Sequence, residues 1–119
     1  MVNIVYTDLM FFKKGHKLTL EIYNITSDFP KSEVYGLVLQ LRRASSSICC
    51  NIAEGSVRSS LKDFKNYLFN ALGSAKEIEY QLLLSKDLNY ITNEVYTNLI
   101  NLLNEIIGSL VNYMLKIKV

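Results

Sequence analysis

The sequence predicts an all-α fold, an antiparallel up-down-up-down four-helix bundle built by residues 1–119 as one domain. Three observations predict it. The 119 residues are half apolar, enough for one continuous core and too few for two domains. One Pro and five Gly leave long stretches without breakers, whereas a β-sandwich or barrel needs a turn signal about every ten residues. Apolar residues recur at helical spacing in four segments separated by short breaks, and connections that short force neighbouring helices to run antiparallel.

The first helix is expected over residues 6–28, with Leu9, Phe12, Leu18, Ile22 and Ile25 inward and Phe29-Pro30 as its stop. The second is expected over 32–54. Ser32 serves as N-cap, Glu33 lies in the first turn, and Val34, Leu37, Leu41, Ala44, Ile48 and Ile52 face inward. Gly55 then stands where a helix takes its left-handed C-terminal residue. The third, 60–88, opens on Ser60 with Asp63 placed to complete a capping box, and carries Phe64, Leu68, Ala71, Ala75, Ile78 and Leu82. Asn89-Tyr90 marks its end. Thr92 caps the fourth, 92–117, whose apolar set is Val95, Leu99, Leu102, Leu103, Ile106, Leu110, Met114 and Ile117. Lys116 and Lys118 suit its negative dipole end.

Ile100, Ile107, Val111 and Leu115 lie outside that stripe and widen the apolar arc beyond what a surface helix in a monomer needs. A deeply buried fourth helix would explain them. In a small bundle, however, each helix normally keeps a wet side, so we favour self-association. Mid-helix glycine costs about 1 kcal/mol relative to Ala, which gives Gly73 an expected packing reason.

No apolar run approaches the ~18 residues of a membrane span, and the opening residues lack the basic region of an export signal. Cys49 and Cys50 are adjacent, so in a helix they point about 100° apart and cannot bridge each other without strain. A reducing cytoplasm fits that usage. The net charge of +2 is far from a basic tail. Its distribution says more: residues 1–65 carry nine Lys/Arg and six Asp/Glu, residues 66–119 four and five. A polyanion is expected to meet the first half.

Gln40, Arg43, Ser47, Asn51 and Glu54 recur every three or four residues and form a polar stripe beside the apolar one. Glu77 and Gln81 on the third helix could meet it. A network of Gln40, Arg43, Asn51, Glu54, Glu77 and Gln81 that fixes helix register or subunit docking is the first reading; a surface for phosphate or a partner is the other. Glu54 and Glu77 each have an Arg candidate that would keep them ionised, which argues against acid–base catalysis. His16 with two adjacent cysteines lacks the ligand number and spacing of a zinc site. No serine has a recognisable base, and no Gly-rich phosphate loop occurs. Catalytic residues, cofactors and metals are therefore not expected. Lys13, Lys14 and Lys17 share one helical face, and Arg58, Lys62 and Lys65 cluster at the third helix. Either group could track a phosphate backbone or be ordinary solvated lysines.

The segment Gln40-Leu41-Arg42-Arg43-Ala44, Ser47-Ile48 and Asn51-Ile52-Ala53-Glu54-Gly55 follows Asp8-Leu9, Phe12-Lys13-Lys14-Gly15-His16, Ile22-Tyr23, Phe29-Pro30 and Tyr35-Gly36-Leu37. Arg58-Ser59, Lys62-Asp63-Phe64, Ala71, Gly73-Ser74, Glu77, Gln81-Leu82 and Leu88 come after it. In this order the motifs resemble the bacterial four-helix-bundle proteins encoded in intervening sequences of 23S ribosomal RNA genes, often labelled S23 ribosomal proteins. The match covers roughly residues 8–91, and the fourth helix agrees in pattern only. Phe12 stands where the family usually has Trp and Gly15 where it usually has Ala, and packing is expected to tolerate both.

The resemblance implies a ring-shaped homo-oligomer, first expected as a homopentamer, and kinship with the accessory protein of diversity-generating retroelements, a basic barrel that works with a reverse transcriptase and nucleic acid. The resulting expectation is a non-enzymatic, cytoplasmic, RNA-binding or accessory protein. Lys13, Lys14, Lys17, Arg42, Arg43, Arg58, Lys62 and Lys65 are its candidates for contact with RNA or a partner. The alternative is a protein–protein scaffold whose partner is encoded nearby.

Overall fold

The computed structural model describes residues 3–119, so the first two residues of the expected domain lie outside it. Among the described residues are four α-helices and no strand: α1 Met10–Thr26, α2 Leu37–Ser56, α3 Leu61–Asp87 and α4 Asn93–Lys116. Each packs on its sequence neighbours, and α1 closes on α4, giving a four-sided bundle 45 Å long.

Contacts between helices fix their directions. Arg42, early in α2, donates to Thr26 and to the Tyr23 carbonyl at the end of α1. Tyr90, just after α3, donates to Glu33, just before α2, at 2.8 Å. Lys65, early in α3, donates to the Ile117 carbonyl beyond α4 at 3.1 Å, and Phe11 of α1 meets Tyr113 of α4 edge-on. Every neighbouring pair is thus antiparallel.

The apolar sets expected for α3 and α4 fill the core, apart from the half-buried Val95. Leu18, Ile22, Leu41, Ile48, Ile52, Phe64, Leu68, Ile78, Leu82, Leu103 and Ile106 are fully enclosed. At roughly 1.5–3 kcal/mol per side chain, this burial outweighs the caps, each about 1 kcal/mol, so packing decides these helices. Local signals set their ends. Ser60 accepts the Asp63 N–H and Thr92 the Val95 N–H. Asn89 takes the left-handed conformation (φ 62°), and the Asn89 and Tyr90 N–H groups close back on Lys86 and Ser85.

The start of α1 departs from expectation. Leu9 is extended (ψ 134°) and separates a 3-10 turn at Tyr6–Asp8 from the helix. Phe11, Gly15, Leu18, Ile22 and Thr26 face the core, while Phe12 is half-buried against Tyr6 and Leu9 and Ile25 are partly covered. Gly15 has no side chain to register in an apolar pattern. Yet α1 approaches α2 closely there: a Cβ would lie 3.2 Å from Cys49 Sγ and 3.3 Å from Ile48 Cγ2. Phe11, one turn earlier, shares that face and becomes the buried aromatic.

The start of α2 is also corrected. Ser32 lies within a 3-10 turn at Lys31–Glu33, and the helix begins at Leu37. Glu33 supplies the cap, its Oε1 accepting the Leu37 N–H at 3.2 Å while Oε2 accepts the Tyr90 hydroxyl. A long side chain reaching four residues forward replaces the short serine cap, and Val34 stays exposed. Gly55 is no left-handed terminator either. It lies inside α2 with negative φ, where a Cβ would fall 2.7 Å from Tyr67 Cβ and 2.8 Å from Phe64 Cδ1. Its missing side chain serves the α2–α3 approach.

Both cysteines are free thiols. Cys49 donates to the Phe12 carbonyl at 3.6 Å, and burial, followed by the charge of Cys50, pushes its pKa up to about 11. Cys50 is exposed on the outer side of α2. At pH 8 iodoacetamide is expected to modify Cys50 at least about ten times faster than Cys49, since the thiolate is the nucleophile. Mass-spectrometric mapping checks this, and equal rates would contradict the buried placement of Cys49.

Candidate functional site

The polar stripe of α2 runs along the groove between α2 and α3. Gln40, Arg43 and Ser47 face Ser74 and Glu77 across a concavity of about 190 Å³. Ser74 donates to Ser47 Oγ at 2.9 Å, and the Asn51 amide donates to the Ser47 carbonyl at 2.8 Å. The charged members do not close the expected network. Arg43, Glu54 and Glu77 are exposed, and the ion pairs among the described residues are Lys14–Glu105, Lys76–Glu79 and Lys86–Asp87. Gln81 is buried and does not line the groove, with no donor on its Oε1. Within one chain, only serine and amide hydrogen bonds satisfy the stripe. Its Arg and Glu face solvent because α2 and α3 meet through Gly55, Phe64 and Ser47–Ser74 on a deeper line.

The basic candidates separate into engaged and free groups. Arg42 is engaged: Nε donates to Thr26 Oγ1 at 3.0 Å, and the guanidinium stacks 4.6 Å from the Tyr23 ring centroid. It holds the end of α1, which leaves it little freedom to recognise a ligand. Lys14 pairs with Glu105 at 3.2 Å, and Lys65 is bound to the Ile117 carbonyl. Lys13, Lys17, Arg43 and Lys62 remain exposed. Arg58 stacks on Tyr67 at 4.6 Å, and its buried Nε meets no acceptor.

One end of the bundle gathers charge that the linear sequence spreads out. Antiparallel packing sets the end of α4 beside the start of α3, so Lys116 and Lys118 join Arg58, Lys62 and Lys65. Asp8, Glu54 and Asp63 are the acids of this region. The opposite end carries Asp28, Glu33, Asp87 and Glu94 with Lys31 and Lys86. The asymmetry therefore runs along the bundle axis rather than between chain halves. The basic end takes Lys116 and Lys118 from the second half.

The family of 23S rRNA-intervening sequence proteins matches over residues 7–112, which includes α1 to α3 and most of α4. The chain belongs to this family. A crystal structure of an S23-family protein of unknown function from Bacteroides thetaiotaomicron is similar, with 30% identity and a TM-score of 0.79. The similarity covers 88% of this chain and 98% of that one. No curated protein matches. The family fold thus extends into α4, beyond the motifs that end near residue 91.

Lys116, in the last turn of α4, and Lys118, two residues beyond it, were hidden in this family member by their place at a helix C-terminal end, where lysine already has a local reason. The up-down-up-down topology was the signal that could have found them. Likewise, Lys14 and Glu105 are 91 positions apart in the chain and meet only because α4 returns beside α1. Among the described residues, no group of His, Cys, Asp and Glu is arranged to hold a metal ion, and no helix is long and apolar enough to cross a membrane.

Proposed function

We propose that this family member is a non-enzymatic, cytoplasmic, oligomeric RNA-binding or accessory protein. The basic end formed by Arg58, Lys62, Lys65, Lys116 and Lys118 is the observation that supports RNA as ligand. Several lysines on one rigid end meet a phosphate backbone at low entropic cost, and the released counterions make such binding steeply salt-dependent. The test is anisotropy of labelled, structured ribosomal RNA fragments across a salt series. Affinity is expected to fall linearly in log–log form. Lys62→Ala with Lys118→Ala is expected to weaken it about ten-fold or more and to reduce the slope by about 2. Absent affinity at low salt, or affinity indifferent to salt, would overturn the reading.

Two apolar patches support self-association and keep the scaffold reading in view. On the α3–α4 side, Phe69 and Leu115 are 54% and 72% exposed beside Leu72 and Val111. On the α1–α2 side, Val34 and Leu39 are exposed beside Val38, and neighbouring Tyr35 is 88% exposed. Patches that differ in composition and lie on opposite faces suit head-to-tail contact, which closes as a ring when the rotation allows, with five copies the first expectation. A protein that self-associates in solution yet has no salt-dependent RNA affinity belongs to the scaffold reading.

A further inference from the structure

The groove between α1 and α4 joins an aromatic floor to a polar rim. It opens a cleft of about 470 Å³ lined by Leu9, Met10, Phe11, Lys14, Glu105, Ser109, Asn112, Tyr113 and Lys116. Its floor is apolar and aromatic: the Phe11 and Tyr113 rings stand 5.3 Å apart at 72°, and Met10, 55% exposed, forms a flexible wall. Its rim is polar. Lys116 stands at the basic end, Asn112 and Ser109 offer an amide and a hydroxyl, and Glu105 is held by Lys14 at 3.2 Å further down.

We propose that this cleft binds a nucleotide unit, a heteroaromatic base carrying a phosphate. The volume lies in the range of about 300–1,000 Å³ usual for small-molecule sites. An acyl chain would leave the amide and charged rim unmatched, and a bare phosphate would leave the aromatic floor uncovered. A flat base uses both, its face on Met10 and Tyr113 and its polar edge toward Asn112, Ser109 and Glu105. The Glu105 carboxylate repels a phosphate from its own end, so the phosphate lies toward Lys116. That end is continuous with the basic surface, and a strand crossing it could place an unpaired nucleotide in the cleft. The proposal deepens the RNA reading and rests on it for the strand as source, whereas a free nucleotide would need only the cleft.

Two arms separate the sources. Calorimetry with the four ribonucleoside monophosphates measures free nucleotide, and anisotropy compares an RNA hairpin bearing one bulged nucleotide with the same hairpin fully paired. The expected result is measurable affinity in the first arm or at least a five-fold preference for the bulge in the second. Ser109→Phe, which fills the cleft without changing charge, should remove it. Asn112→Ala, at an exposed rim position, should weaken it at least three-fold and guards against misfolding of the first variant. Failure in both arms, or success that neither variant alters, overturns the cleft proposal. Salt-dependent RNA binding that ignores the bulge and both variants would leave the RNA reading standing alone; monophosphate binding without RNA affinity would do the reverse.

Discussion

Phe64→Ala is expected to remove about 3–5 kcal/mol of stability, measured as the shift of a urea unfolding transition followed by circular dichroism. Phe64 is fully buried. Its ring stands edge-on to Tyr113 of α4 at 6.0 Å and 82°, and its Cδ1 closes over Gly55 of α2. Truncation would therefore open a cavity where three helices meet, and neither Gly55 nor the ring of Tyr113 can collapse into it. The edge-to-face pair adds about 0.5–1.5 kcal/mol to the lost transfer energy. Native domains hold only about 5–15 kcal/mol in all, so the variant should approach the limit of folding. Phe69→Ala is the control on the same helix: Phe69 is 54% exposed, and its loss should cost under about 1 kcal/mol in the single chain. Similar losses at both positions would mean that the inward face of α3 has been misassigned.

What the sequence made legible follows from how each feature is encoded. The burial of α3 and α4 could be read because their apolar residues repeat at helical spacing without interruption, and Ser60, Thr92 and Asn89 are local signals with local partners. The start of α1 could not, because Gly15 carries no side chain to count and Phe11 and Phe12 are equally apolar. The α2 cap was misplaced because Glu33 reaches four residues forward, whereas capping rules look for a short side chain at the boundary itself. The candidate site was legible only in part. Lys62 and Arg58 are close in sequence, but their meeting with Lys116 and Lys118 depends on the bundle having closed. The stripe itself was legible, but its Arg43 and Glu77 stay exposed within one chain. Periodicity tells which residues share a face, not how deep that face lies.

Glycines show the same distinction at the level of single atoms and yield opposite expectations. Gly55→Val should destabilise the bundle by about 3 kcal/mol or more, whereas Gly73→Ala should stabilise the single chain by up to about 1 kcal/mol. At Gly55 the added Cβ would lie 2.7 Å from Tyr67 Cβ, an atom fixed to the α3 backbone, so the helices must separate rather than a side chain swing aside. The gain in helix propensity cannot offset that, and the branched valine adds two further methyl groups to the same contact. At Gly73 a Cβ would meet nothing within 4 Å, so the packing reason expected for it does not exist within the chain, and only the backbone entropy of glycine remains to be recovered. Thermal unfolding at low protein concentration separates the two. A loss at Gly73 that appears only at high protein concentration would place another copy of the chain against α3. Sedimentation of the same variant tests that directly: if copies of the chain meet over Gly73, alanine should raise the melting point of the dilute chain and weaken its association at high concentration.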